Sequence, residues 1–271
     1  MKRSFEKSAA VLALFAAFAV GAQGIDQGVA KYESGDYAGA LGDLTPFAEQ
    51  GDATAQTLVG LMYGTGQGVE PDGAAAAMWI RRAADQEHVQ AQVILARMFT
   101  RGAGVTADLG EAASWYRRAA ENGDAEAQSS LGAMYVGGHG VIQDNSEGAA
   151  WIRRAAHQGH SHAQFNLGAM HVNGLGVTAD SMEAAAWYLR AAEQGHTSAQ
   201  YNLGLMYFNG DGVAQDNIMA HVWTTLASAY GHENAATARD TIAEQLNSTG
   251  IYESQELALN CIEHRFQDCA R

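Results

Sequence analysis

The chain has 271 residues, 16 of them basic and 30 acidic, for a net charge of −14. A field of that sign excludes nucleic acid and anionic membrane surfaces as favoured partners. Positive charge is confined almost wholly to arginine, since Lys31 is the one lysine beyond residue 24.

Residues 1–24 read as a secretory leader. Lys2, Arg3 and Lys7 precede an apolar run from Ala9 to Val20, which is shorter than the ~20 residues a stable spanning helix needs. Small residues at 20–24 then offer a cleavage site. The leader predicts a periplasmic or secreted protein with no stable membrane insertion after its removal; the alternative is an uncleaved anchor. No cysteine lies near the cleavage point to carry a lipid. In residues 25–52, Ala30, Tyr32, Tyr37, Ala40, Leu41 and Leu44 surround a break at Gly35-Asp36. That pattern predicts a helical hairpin acting as an N-terminal cap, with a kink or early stop at Pro46 in its second helix.

From residue 53 to 233 the chain repeats itself. Gln56, Gln92, Gln128, Gln164 and Gln200 recur every 36 residues, as do Trp79, Trp115, Trp151, Trp187 and Trp223, which are all five tryptophans of the chain. A constant stride of this size marks stacked supersecondary units that bury their apolar faces only against neighbours. Ala127, Leu131, Met134 and Tyr135 follow helical spacing, as do Ala112, Trp115 and Ala119, so each unit is a pair of helices. Between the two lies Gly-x-Gly-Val, for example Gly174, Gly176 and Val177, where glycine permits a tight turn of positive φ. Three residues after each valine stands Asp72, Asp108, Asp144, Asp180 or Asp216, a predicted N-cap. In the three middle copies a glutamate follows at Glu111, Glu147 and Glu183, suggesting a capping box.

Each tryptophan is flanked by alanines and is therefore read as core. Burying about 150–250 Å² of indole at roughly 25 cal/mol per Å² contributes about 4–6 kcal/mol gross. Trp151, central in the array, is expected to matter more than Trp223 near its end. Beyond residue 233 the period is lost. Residues 234–271 are expected to form a C-terminal helical cap, with one helix over 235–246, a break at Asn247-Ser248-Thr249-Gly250, and a last helix from Tyr252 to about Arg265 carrying Leu257, Leu259, Ile262 and Phe266. Cys261 and Cys269 are a candidate disulfide in an exported protein. Eight residues of continuous helix would separate them by about 12 Å, beyond the roughly 7 Å a bridge tolerates, so bonding requires the helix to end near Arg265.

The motifs Ala163-Gln164, Asn166-Leu167-Gly168, Gly174-x-Gly176-Val177, Asp180 and Ala184-Ala185-Ala186-Trp187-Tyr188 resemble those of the Sel-one-like repeat family, a branch of the tetratricopeptide-like helical repeats. Gly35-Asp36-Tyr37-Ala38-Gly39-Ala40-Leu41 is similar to a tetratricopeptide opening. The resemblance implies an all-α fold, a right-handed α-solenoid of helix-turn-helix repeats, that holds partner proteins on its concave face without catalysis and without a cofactor. Positions that differ between copies are the candidate partner contacts. At one such position stand Thr57, Val93, Ser129, Phe165 and Tyr201, and at another Leu61, Arg97, Ala133, Ala169 and Leu205. Arg97, His162, Phe165 and Tyr201 are the named candidates; the alternative for the two aromatics is packing between neighbouring helices.

Other chemistries find little support. Among ten histidines, His88, His160, His196 and His232 share one repeat position, with Asp124 in the remaining copy, a helix-boundary pattern rather than a ligand set. His139 and His162 do not recur, which leaves a metal-binding protein as an alternative. Gly-x-Gly here follows a helix, not the strand that a phosphate loop or dinucleotide fingerprint requires. Hydrolysis of cell-wall or β-lactam substrates is the enzymatic alternative. The family members with such activities resemble a branch with paired cysteines in each repeat, whereas these repeats contain none.

Overall fold

The computed structural model describes residues 24–266 and Cys269; the leader assigned to residues 1–24 lies, but for Gly24, outside that range. The described residues form helices joined by short turns, without a strand. They divide into two compact units, residues up to 122 and residues from 123 onward. The first unit contains α1 (24–34), α2 (Tyr37–Glu49), α3 (Ala53–Thr65), α4 (Gly73–Ala84), α5 (Val89–Arg101) and α6 (Leu109–Glu121). The second contains α7 (Ala125–Gly137), α8 (Asn145–His157), α9 (Ser161–Asn173), α10 (Ser181–Ala192), α11 (Thr197–Asn209), α12 (Asn217–Ala229), α13 (Ala235–Ala243) and α14 (Ser248–Glu263). Within each unit, paired helices pack as hairpins and successive hairpins pack on one another. This is the all-α, solenoid-class repeat architecture.

The hairpins close tightly because the first helix carries glycine, or Ala96 in the second copy, where it crosses the second helix. A Cβ on Gly168 would press into the Tyr188 ring and the Ala184 carbonyl, and one on Gly204 into Thr224 and the Ala220 carbonyl. The second glycine of each loop has a further role that the sequence did not disclose. Gly104, Gly176 and Gly212 have φ of 73°, 69° and 71°, and a Cβ on them would collide with the backbone carbonyls of Gly73, Asn145 and Ser181 one repeat earlier. These three loops therefore rest on the start of the preceding second helix.

Asp72, Asp108, Asp144, Asp180 and Asp216 cap the second helices through their side chains. The capping box is not completed. The N–H groups of Asp108, Asp144 and Asp180 already donate to the carbonyls of Phe99, Tyr135 and His171 at the end of the first helix, so nothing remains for a returning glutamate to accept. Glu147 instead accepts the Trp151 indole N–H at 2.8 Å. All five tryptophans are buried, and Arg82, Arg118, Arg154 and Arg190 lie over the rings of Trp79, Trp115, Trp151 and Trp187. Trp223 is 0% exposed and Trp151 7%. The terminal indole is thus covered more fully than the central one, since α13 and α14 both pack on α12.

The ends differ from expectation in detail. α2 does not stop at Pro46 but continues to Glu49. Pro46 lacks the N–H that would meet the Gly42 carbonyl, and both residues are exposed, so water can take that acceptor. α13 stops at Ala243, before the expected Leu246. α14 begins at Ser248, inside the segment read as a break, because the Asn247 side chain accepts the Gly250 N–H at 2.8 Å. It ends at Glu263, and positive φ at Arg265 and Phe266 turns the chain back. Cys261 and Cys269 are bonded, with Cα atoms 5.1 Å apart.

Candidate functional site

The recurrent glutamines are the first residues to explain, because they are buried and polar. Gln56, Gln92, Gln164 and Gln200 donate through Nε2 to the carbonyls of Ala48, Ala84, Ala156 and Ala192, eight residues earlier at the end of the preceding helix. Three of the series also accept at Oε1. Gln86 donates to Gln56, Gln158 to Gln128 and Gln194 to Gln164, at 2.8, 2.8 and 2.7 Å. In the other two copies the donor position holds Asn122 or Tyr230, and the Oε1 atoms of Gln92 and Gln200 are left buried without a partner. These side chains join hairpins; they are structural despite their polarity.

Three of the four repeated histidines are N-caps, and the fourth, His232, caps no helix and keeps its Nδ1 buried without a partner. Nδ1 of His88, His160 and His196 accepts the N–H of Ala91, Ala163 and Ala199 at 3.3, 3.2 and 3.3 Å. Accepting at Nδ1 requires neutral imidazole with its proton on Nε2. Burial lowers the pKa of His160 and His196, and the neighbouring His162 lowers both further. The ring of His162 lies 4.8 Å from that of His196 and 6.0 Å from that of His160. Among the described residues no group of three or more His, Cys, Asp or Glu side chains is arranged to hold a metal ion.

The candidate partner residues fall in different settings. Phe165 is half-buried, stacked on His196 at 4.7 Å and tilted against Tyr188 at 5.7 Å. Tyr201 is likewise half-buried and stacked on His232 at 4.3 Å. Both rings therefore pack against the boundary residue of the next repeat. Thr57 meets His88 in the same way at 3.4 Å. Arg97 and His162 are exposed, Arg97 on α5 of the first unit. The structure brings His162 and Phe165 together around His196 and leaves Tyr201 apart.

The second variable position leads to a cavity. Between α7 and α9 lies an apolar pocket of about 280 Å³, floored by Ile152 of α8 and bordered by Val136, Met170 and Leu175. Its space comes from small residues: Ala133 and Gly137 on α7, and Ala169 on α9. At the position of Ala133 and Ala169 the other copies carry Leu61, Arg97 and Leu205. The Asn166 and Asn173 carboxamides stand at the edge; Nδ2 of Asn173 is engaged by the Ala169 carbonyl at 2.8 Å. A preformed apolar recess with a few polar groups suits an apolar side chain held by its neighbouring amides.

One polar pair in the second unit has the composition of a catalytic dyad. Ser254 Oγ lies 2.9 Å from His221 Nδ1, but both residues are buried and Ser254 is 0% exposed. The serine also donates to the Ile251 carbonyl at 2.8 Å. The contact ties α14 to α12.

The five 36-residue copies, at residues 53–88, 89–124, 125–160, 161–196 and 197–232, each match the Sel1 repeat model. The chain belongs to the Sel1 repeat family. Sel1 repeat solenoids are in general non-catalytic scaffolds for protein interaction. One similar solved structure is c5321, a protective antigen of uropathogenic Escherichia coli displaying the same repeat fold. It is 32% identical with a TM-score of 0.78, and the alignment covers 86% of this chain and 50% of that one. This chain therefore spans half the length of that protein. A Sel1 repeat protein from Oxalobacter formigenes is 29% identical with a TM-score of 0.76, covering 92% of this chain and 98% of the other. No curated protein matches the chain.

Proposed function

We propose that this Sel1 repeat protein is an exported, non-enzymatic scaffold that holds a partner protein in the periplasm or outside the cell. The observation that carries the reading is the pocket between α7 and α9. Two consecutive repeats replace a large side chain by alanine at one position, which opens the recess. Residues that maintain the stack do not vary in this way; Ala127 and its equivalents are alanine in every copy, and Leu131 and its equivalents are leucine in four copies and valine, at Val59, in one. The leader-like first 24 residues and the likeness to a protective antigen support the location.

The test is capture by cross-linking in native cells, comparing the natural chain with Ala169→Leu, which fills the recess, and Met182→Ser, which alters an exposed residue of α10. A discrete partner retained by Met182→Ser and lost with Ala169→Leu is the expected result. Capture that is indifferent to Ala169→Leu refutes the site. For the location, the expected N-terminus of the native protein lies within residues 21–25, in the periplasm or medium. A cytosolic product retaining Met1 refutes export.

A further inference from the structure

The last helix leaves much of its apolar surface in water. Along α14 the buried residues are Gly250, Ser254, Ala258 and Cys261, a stripe of small side chains at helical spacing that lets it approach α12 closely. Leu257 packs against the core from the edge of this stripe, whereas three other bulky residues turn outward: Tyr252 is 69% exposed, Leu259 64% and Ile262 38%. A helix serving only to close the stack would place Leu259 and Ile262 inward beside Leu257, where each stabilises by about 1.5–3 kcal/mol.

The outward face is also charged in one sense. Tyr252, Glu256, Leu259 and Glu263 follow one another at spacings of 4, 3 and 4 residues, so apolar and acidic side chains alternate along a single stripe. Glu253, Glu256 and Glu263 border a groove of about 650 Å³ running beside Leu259. From Ser248 to Glu263 there is no lysine or arginine. A second copy of this chain would set acidic residue against acidic residue, with a net −14 on each side.

We propose that the exposed face of α14 is a second docking surface, and that its occupant is a basic amphipathic helix of a partner protein. Leucine-sized residues at i, i+4 and i+7 of that helix cover Tyr252, Leu259 and Ile262, while flanking lysines or arginines meet Glu256 and Glu263. This is packing of one amphipathic helix along the exposed face of another, in which apolar anchors supply affinity and charge sets the partner. The surface is separate from the pocket between α7 and α9 and stands or falls independently of it.

The experiment uses the full chain and a fluorescent synthetic helix of about 18 residues, with leucines at the i, i+4, i+7 and i+11 positions and lysines beside them. A peptide of the same composition in scrambled order is the control. Anisotropy is expected to show saturable binding of the ordered peptide alone. Leu259→Asp and the double change Glu256→Lys/Glu263→Lys are each expected to weaken it at least about tenfold. Glu70→Lys/Glu121→Lys, which alters the net charge equally on exposed residues elsewhere, is expected to leave it within about twofold. All the altered side chains are exposed, and unchanged helical circular dichroism confirms folding. Equal binding of the scrambled peptide, or binding indifferent to Leu259→Asp, overturns the proposal. So does sedimentation showing a dimer that Leu259→Asp dissociates, since the occupant would then be a second copy.

Discussion

Replacing Asn122 by glutamine should stabilise the protein by completing a bond that one repeat lacks. Gln92 already donates to the Ala84 carbonyl, but its Oε1 is buried and unpartnered. In three other copies a glutamine at the position of Asn122 fills that acceptor at 2.7–2.8 Å. Asparagine is one methylene shorter, and its Nδ2 bonds only to the Arg118 carbonyl, at 3.1 Å. Gln86 and Gln194 make the corresponding bonds to Arg82 and Arg190 as well, so glutamine at 122 should sacrifice nothing already present. A net hydrogen bond contributes about 0.5–1.5 kcal/mol, and relief of a buried orphan acceptor adds to it. Ordering the longer side chain takes back part of that, up to about 1.5–2 kcal/mol if it were fully fixed. The balance is a gain of about 1 kcal/mol, or a rise in Tm of about 2–4 °C for a protein of this size. Urea denaturation followed by circular dichroism measures it. In a Gln92→Leu background, which removes the acceptor, the gain should disappear. A gain that persists there refutes the proposed bond, as does no gain in the natural background.

Trp223→Ala is expected to cost about 3–5 kcal/mol, no less than Trp151→Ala, because the terminal indole is enclosed by the cap while the central one keeps 7% exposure; paired urea titrations decide it, and a clearly smaller loss at Trp223 contradicts the packing described for α13 and α14. Stability should also fall on acidification. His160 and His196 have pKa values lowered by burial and by His162, so below about pH 6.5 the unfolded chain binds protons before the native one does. Their contribution is therefore complete above that pH and lost as the pH falls toward the native values. Protonation also removes the acceptor that caps α9 and α11 and sets a positive charge at two helix N-termini. The double change His160→Asn/His196→Asn keeps a capping residue that does not titrate. Its urea midpoint should drop less than that of the natural chain between about pH 7 and about pH 5, and equal drops would refute the role assigned to the caps.

Much of the fold was legible because repetition averages out local ambiguity. One Gly-x-Gly or one Trp says little, but five at a constant stride impose a helix boundary and a core position in every copy. The N-caps could be read for the same reason. The pocket was legible only in part. Unequal residues at Ala133 and Ala169 pointed to the position, but the recess requires Ile152 and Leu175 from other elements to enclose it. Phe165 and Tyr201 were readable as variable, though not as stacked on His196 and His232, which lie 31 residues further along.

By itself the amino-acid sequence determined the helices, their pairing into 36-residue hairpins and the burial of the tryptophans, because period and side-chain size act within one repeat and its neighbour. Tertiary packing decided what each polar side chain does. Glu147 went to an indole, since the cap N–H was already spent on a carbonyl nine residues back. The glutamines became links between hairpins, since only in the stack do a buried amide and a helix-end carbonyl meet. Packing also decided which side of α14 faces water. Leu259 and Ile262 look like core in a linear reading, but close approach to α12 fully buries only the stripe of Gly250, Ser254, Ala258 and Cys261, and Tyr252, Leu259 and Ile262 are left outside.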